Sequence, residues 1–240
     1  RPKYNQFQKW LFKINIDVAT RFSNFNVVDN YELKKSIEST FNCSSLIIRY
    51  GGDHFKKNYN YDKSLINKYP FVRGKYYLSV ARAQVDTNLH LLINTFKDGF
   101  DFPLVIISNW SVSEYGRNLK NKFNNNPNLI LLDAIYDSVE INFIRKNCYL
   151  YIHSHSYCGT APSLVEAICL ELPIVCYDVP TNRETTLNKS KYFSDEKSLT
   201  MILNDLDQNK IQNLKLELNT LIDRNYTWEK ISNDYKKLLI

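Results

Sequence analysis

Residues 149–178 constrain the fold more than any other part of the chain. They begin with a short apolar run, residues 149–153, which predicts a buried strand, and continue through a turn of small residues that includes Gly159. Apolar residues then recur at helical spacing, and a second apolar run at residues 174–177 predicts the next strand. A strand, a helix and a strand in this order indicate a βαβ unit of a parallel sheet.

The start of the predicted helix suits an anion. Pro162 fits the first helical turn, and Thr160 is expected to cap it. Glu166 lies one turn further along, where its carboxylate is expected to accept hydrogen bonds from ribose hydroxyls. The residues alone therefore indicate a site for a nucleotide or another phosphorylated ligand. The free N–H groups expected to bind its phosphate belong to Ala161, Ser163 and Leu164.

Helices and strands alternate through the middle of the chain. This alternation predicts an α/β fold with a doubly wound, Rossmann-like parallel sheet, whose strand ends face a common rim. A helical tail with Leu and Ile spacing follows from residue 195. The predicted elements between residues 76 and 149 are strand 76–81, helix 88–97, strand 104–109, helix 114–123, strand 128–133 and helix 137–147, and those before residue 54 are helix 2–22, strand 25–29, helix 30–41 and strand 45–50.

The segment His155-Ser-Tyr-Cys-Gly-Thr-Ala-Pro-Ser-Leu-Val-Glu-Ala167 carries a family resemblance. It resembles the C-terminal donor-binding domain of family 4 glycosyltransferases of the GT-B fold, and within them a rhamnosyltransferase-like branch of bacterial polysaccharide-assembly enzymes. That family has a Glu, seven residues and a second Glu. The second corresponds to Glu166, whereas the first falls on Cys158, beside Gly159 at the family's glycine.

The resemblance implies roles for several strand ends. An Arg that contacts the donor diphosphate corresponds to Arg82, and a nearby Lys corresponds to Thr87 or Asn88. A loop that holds the nucleobase corresponds to residues 134–136. Arg82 and Glu166 are the predicted catalytic residues. The predicted donor-binding residues are Asn88, Asn109, Ile135, Tyr136, His155, Cys158, Gly159, Thr160, Ala161, Pro162 and Ser163.

The resemblance also divides the chain. Residues 1–53, which include a helix predicted over 2–22, are expected to be the remnant of an N-terminal acceptor-side domain. Residues 54–75 are expected to form a linker, 76–225 the donor-binding domain, and 226–240 a helix that crosses back to the N-terminal side. About half of a GT-B enzyme would then lie outside this chain. We therefore expect it to bind nucleotide diphosphates without transferring a sugar.

The composition and net charge of the chain restrict where the protein is expected to be located and what it is expected to bind. The chain has 240 residues, of which 44% are hydrophobic, so it can bury a full core, and it has no continuous apolar run of about 18 residues. Five cysteines without C-x-x-C spacing predict reduced thiols in a cytoplasmic protein. The net charge of +6 accompanies no basic-aromatic motif, which argues against nucleic acid but allows peripheral contact with the inner face of the plasma membrane.

His153 and His155 are candidate ligands of a metal ion. Residues at i and i+2 of a strand face the same side, but the sequence suggests no third ligand, and GT-B enzymes generally need no metal in the site. We therefore predict no metal and no cofactor. Cys158 lacks an evident base, which disfavours it as a nucleophile.

The predicted function is that of a retaining glycosyltransferase. It would move a sugar from a nucleotide diphosphate sugar, dTDP-rhamnose or a UDP-sugar, to a growing surface polysaccharide or a lipid-linked glycan. A non-catalytic nucleotide-sugar-binding module is the alternative favoured by Cys158 in place of the first Glu. A GT-B type sugar-nucleotide epimerase is disfavoured, because its acid and base groups have no visible counterpart.

Overall fold

A computed structural model describes residues 4–56, 59, 61–221 and 225–239. Several predicted segments extend beyond these residues: Pro2 and Lys3 of the first helix, residues 57, 58 and 60 of the linker, residues 222–224, and Ile240 lie outside the described residues. Among the described residues, no helix combines the length and the apolar character needed to cross a membrane.

A parallel sheet of six strands forms the centre of the molecule, in the order β5-β4-β3-β6-β7-β8. Every neighbouring pair is parallel. The predicted doubly wound α/β sheet is therefore confirmed. The six strands are β3 Tyr77–Val80, β4 Leu104–Ser108, β5 Leu129–Asp133, β6 Leu150–His153, β7 Ile174–Tyr177 and β8 Lys191–Phe193.

Helices cover both faces of this sheet. Alternate strand residues point to opposite faces, so Leu78 and Tyr151 join one apolar cluster with α7, while Tyr77 and Leu150 join the other with α4 and α9. Both clusters are closed to solvent. The helices are α4 Leu89–Phe96, α5 Glu114–Phe123, α6 Ser138–Lys146, α7 Pro162–Cys169, α8 Pro180–Thr185, α9 Glu196–Asp205, α10 Gln208–Asn219 and a terminal helix Trp228–Lys236.

The predicted elements between residues 76 and 177 agree with these bounds within one or two residues. Three elements of the described residues were not predicted: the short helix α3, Ser64–Lys68, lies in the expected linker, β8 is only three residues long, and α8 occupies a stretch expected to be a polar rim. Residues 54–75, expected to be a linker, contribute Phe55, Leu65 and Tyr69 to the core. Their apolar side chains pack on α6 and α7, although the intervening residues are polar.

The N-terminal segment is a small α/β unit with its own two-stranded parallel sheet, β1 Val27–Val28 and β2 Leu46–Ile47. Helix α2, Tyr31–Phe41, begins at Asn30, whose side chain caps it. Helix α1, Gln6–Phe22, buries none of its residues. The apolar side of α1 is therefore exposed within the described part of the chain.

Two polar contacts attach this segment to the large sheet. Arg49 forms a two-pronged ion pair with Glu184 of α8, in which Nη1 donates to Oε2 at 3.0 Å. Asn30 Nδ2 donates to the carbonyl of Thr181 at 3.2 Å. These bonds hold β1 and α2 beside the carboxyl ends of β6 and β7.

The terminal helix returns to the end of the N-terminal segment. The Trp228 ring lies 5.3 Å from that of Tyr50, and its indole N–H donates to His54 Nδ1 at 2.9 Å. A Cβ on Gly51 would come within 2.6 Å of the indole, so only glycine fits at this contact. Trp228 thus packs directly against residues 50–54.

We expect Arg49→Met to lower the free energy of unfolding by about 2–3 kcal/mol, since it leaves the largely buried Glu184 carboxylate without its cation. Arg21→Met is the matched control, because the Arg21–Asp17 pair is solvent-exposed and such pairs contribute roughly 0.5 kcal/mol or less. Urea unfolding of both variants measures the difference. Equal losses would show that the Arg49 pair does not hold the segment in place.

Candidate functional site

A cleft of about 750 Å³ opens at the carboxyl edge of the sheet, between the strand ends of β3, β4 and β5 on one side and the β6–α7 turn on the other. It lies where the winding of the sheet reverses between β3 and β6, which is where open α/β sheets bind ligands. Its lining includes every predicted site residue except Asn88. The predicted residues in the lining are Arg82, Asn109, Ile135, Tyr136, His155, Cys158, Gly159, Thr160, Ala161, Pro162, Ser163 and Glu166.

The β6–α7 turn forms one wall. Pro162 starts α7 as predicted, but Ala161 occupies the capping position, so Thr160 does not cap the helix. Its hydroxyl instead donates to the carbonyl of Asp29 at 2.8 Å. The N–H of Leu164 is also not free, because it donates to the Ala161 carbonyl at 3.0 Å. No described group accepts the N–H of Ala161 or Ser163, so two amides remain for an anion.

Gly159 lets the N-terminal segment approach this turn closely. A Cβ there would lie 2.6 Å from Leu33 Cδ1 and 2.7 Å from Asp29 Oδ1. Together with the Thr160 bond, this contact places Asp29 against the outer end of the cleft wall. Burial is the main cause that raises the pKa of Asp29, while a hydrogen bond from the Thr160 backbone opposes it.

Arg82 follows β3 and projects from a loop that is held in place. The N–H of Ala83 donates to Asn109 Oδ1 at 2.9 Å, and the Ala83 carbonyl accepts from the Ser113 hydroxyl. The Arg82 carbonyl accepts from Thr87 Oγ1 at 2.8 Å. Arg82 itself is exposed, and no described residue pairs with its guanidinium. Its charge is therefore available to a ligand, and Asn109 acts on the loop as well as lining the cleft.

Asn88 lies outside the cleft lining. It adopts a left-handed conformation with φ 52°, and its Nδ2 donates to the carbonyl of Ser154 at 3.0 Å. The side chain therefore joins the loops after β3 and β6. The structure thus gives no support to the predicted phosphate contact of Asn88.

Glu166 reaches the cleft with one oxygen already bound. Arg145 Nη1 donates to Oε2 at 2.5 Å, while Oε1 lies 4.0 Å from His54 Nε2. A carboxylate held in this way keeps a fixed orientation, and its second oxygen remains able to accept hydrogen bonds from a ligand.

Arg145 is a site residue that was missed in the sequence. It lies on α6, is only 3% exposed at its side chain, and places its guanidinium 4.8 Å from the ring centre of Phe55. Its position four residues after Ile141, on the apolar side of α6, is the signal that could have found it. An arginine on a buried helix face needs an acidic partner, and here the partner is Glu166.

The opposite wall is the loop after β5. Ile135 is half-buried against the sheet, and Tyr136 is 89% exposed at the rim. The Tyr136 ring is thus not a packing residue among the described side chains. It is free to stack on a planar ligand.

Three metal-ligating side chains meet at the end of β6. The ligand atoms of His153, His155 and Cys158 all lie within 4.8 Å of one another. Burial lowers the pKa of His155 to about 4, with the Arg82 charge as a second cause, and it holds the pKa of His153 well below its usual range. Both imidazoles are therefore neutral at pH 7. The third ligand, which the sequence did not suggest, comes from the turn.

One family of known proteins matches most of the chain. Residues 63–223 match the family described as glycosyl transferases group 1. A comparison with curated protein sequences found no significant match.

Solved structures share the fold at low identity. Anabaena Alr3699/HepE in complex with UDP-glucose superposes with a TM-score of 0.79 at 13% identity, over 100% of this chain and 69% of that one. Sucrose-phosphate synthase from Thermosynechococcus elongatus gives 0.77 at 13% identity, over 99% and 62% of the two chains. At such identities the likeness shows the fold alone.

We expect Asp29→Asn to stabilise the chain near neutral pH. The raised pKa of Asp29 means that the folded state disfavours the charged carboxylate. The protonated Asp29 side chain therefore contributes stability below the ordinary pKa of an aspartate, and this contribution is lost as pH rises through the raised pKa. The advantage of Asp29→Asn should therefore grow between about pH 3 and pH 7. Urea unfolding at several pH values measures it, with the exposed Asp98→Asn as control. An identical pH dependence in Asp29→Asn and the unmodified chain would contradict the assignment.

Proposed function

This chain belongs to the glycosyl transferases of group 1 and has a GT-B type fold, and we propose that it is the donor-binding part of an enzyme that transfers a sugar from a nucleotide diphosphate sugar to a glycan hydroxyl. The observation that carries the proposal is the meeting of three features in one cleft. They are the N-terminus of α7, the available charge of Arg82, and the Glu166 carboxylate held by Arg145.

Each part of the donor has a matching group. The diphosphate lies between Arg82 and the amides of Ala161 and Ser163, which together supply charge and hydrogen bonds. The ribose hydroxyls bind Oε1 of Glu166, one helical turn away from that end. The base lies at the rim beside Ile135 and Tyr136, so the sugar faces His155 and Cys158.

The chemistry follows from where charge develops. The bond between the sugar's anomeric carbon and the diphosphate oxygen breaks, a bond to the acceptor oxygen forms on the same face, and the acceptor proton passes to the leaving diphosphate. Configuration is retained. Negative charge grows on the diphosphate, and fixed donors there lower the barrier most, so the transfer needs no metal ion.

The donor and acceptor are proposed by class. UDP-glucose is bound by Anabaena Alr3699/HepE, and the cleft here suits UDP-sugars as well as dTDP-rhamnose. A surface polysaccharide or a lipid-linked glycan is the proposed acceptor, reached in the cytoplasm or at the inner face of the plasma membrane. The positive net charge favours an anionic surface.

A nucleotide-sugar-binding module remains the second candidate, because Cys158 stands where the resembled family has its first Glu. Calorimetry with UDP-, dTDP- and GDP-sugars identifies the donor, and release of the nucleotide diphosphate in the presence of lipid-linked glycans or water measures turnover. Turnover supports the transferase. Binding without turnover supports the module when the assayed protein also contains an acceptor-side domain, since the 240-residue chain by itself is expected to bind without transfer. Binding of none of these donors would overturn both.

We expect Arg82→Ala to weaken UDP binding about tenfold to a hundredfold, the value of one charge-assisted contact, and to leave uridine binding nearly unchanged. Calorimetry with the two ligands measures the contrast. The exposed Arg73→Ala is the matched control, since Arg73 lies outside the cleft lining. Equal losses for UDP and uridine would remove Arg82 from the phosphate site.

We expect Glu166→Gln to weaken UDP binding about fivefold, because the amide keeps its single oxygen towards Arg145 and presents an uncharged NH₂ donor where the carboxylate oxygen accepted from the ribose hydroxyls. The loss should be smaller for dTDP, whose sugar lacks the 2′ hydroxyl. Glu166→Ala is avoided, since it would leave the buried Arg145 unpaired. Unchanged affinity for both nucleotides in a folded Glu166→Gln chain would make Glu166 a structural residue.

A further inference from the structure

Three side chains at the end of β6 form a cluster beside the inner wall of the cleft: His153, His155 and Cys158, defined here as the His-His-Cys cluster. His153 is 1% exposed, and its ring centre lies 4.3 Å from that of His155. Both ring nitrogens of His153 and Nε2 of His155 are buried without a hydrogen-bond partner among the described residues. Buried polar atoms of this kind are rarely left unsatisfied unless they serve a ligand.

We propose that the His-His-Cys cluster binds one borderline-soft divalent metal ion of the Zn²⁺ class. Two neutral imidazoles and a thiolate are the ligands that such ions prefer. Tetrahedral zinc places its N and S ligands roughly 3.3–3.9 Å apart, so atoms within 4.8 Å need side-chain shifts of only about 1 Å. The thiol proton is released to solvent when the metal binds.

The surroundings fit such an ion. Asp86 is buried, its Oδ1 has no partner among the described residues, and its negative charge acts on His155 in the direction that favours a positive charge there. The positive charge of Arg82 acts on His155 in the opposite direction, so the effects of Asp86 and Arg82 on His155 oppose each other. Cys158 Sγ also lies 3.7 Å from Asn182 Oδ1, a contact long enough to give way to a metal.

Three protein ligands leave a fourth position open. His155 and Cys158 line the cleft whereas His153 lies behind them, so the open position faces the cleft, where water or another oxygen can complete a tetrahedron. The open position therefore lies beside the proposed place of the donor sugar, which faces His155 and Cys158, whereas the diphosphate is held by Arg82 and the α7 amides.

The test uses the metal alone. The chain is freed of metal with a chelator and titrated with Zn²⁺ by calorimetry and with Co²⁺ by absorption spectroscopy. We expect one ion per chain and a thiolate-to-cobalt charge-transfer band. Cys158→Ser should abolish the band, and His155→Gln should weaken Zn²⁺ binding by at least about tenfold to a hundredfold.

Matched controls come from the same residue types. Cys43→Ser and His90→Gln alter a cysteine and a histidine outside the cluster and should leave affinity and spectrum unchanged. X-ray absorption of the Zn²⁺-loaded unmodified chain should show one sulfur and two nitrogen ligands, which requires no variant to fold. Absence of saturable binding, a band that survives Cys158→Ser, or a zinc shell without sulfur would overturn the proposal.

Discussion

The reversal of strand order at β3 and β6 is the constraint on which the rest of the structure depends. Because crossovers are right-handed, the chain that leaves β3 towards β4 and the chain that leaves β6 towards β7 must place α4 and α7 on opposite faces. The loops at the two strand ends therefore diverge, and the space between them cannot close. The cleft is a consequence of topology, and the side chains around it determine what it binds.

Those side chains are held in place by hydrogen bonds and an ion pair within the protein, which form without a ligand. Both backbone groups of Ala83 are bonded, which fixes the loop that carries Arg82, and Arg145 fixes Glu166 from behind. Burying the Arg145 guanidinium costs desolvation free energy, which the ion pair with Glu166 offsets. The ion pair therefore fixes the orientation of the Glu166 carboxylate more than it increases the stability of the fold. A site built in this way does not have to reorganise when charge develops on a diphosphate.

The regular parts of this fold could be predicted from the sequence because they depend on local periodicity. Strand β7 and helix α5 have the predicted bounds, and the cleft residues from Cys158 to Glu166 follow from a single motif. Contacts between distant segments could not be predicted. The Thr160 bond to Asp29 and the partnership of Arg145 with Glu166 depend on tertiary packing that no spacing rule encodes. The meeting of Cys158 with His153 is local, but it depends on the path of the turn after β6, which residue spacing does not specify.

We propose that the N-terminus of α7 and the loop after β3 hold a nucleotide diphosphate. Amide chemical shifts of the isotope-labelled chain, recorded during titration with UDP and separately with uridine, test this binding mode residue by residue. We expect UDP to produce its largest shifts at the amides of Ala161, Ser163 and Arg82, and uridine to shift mainly residues 134–136. Shifts of equal pattern for both ligands, or UDP shifts confined to residues outside the cleft, would contradict it.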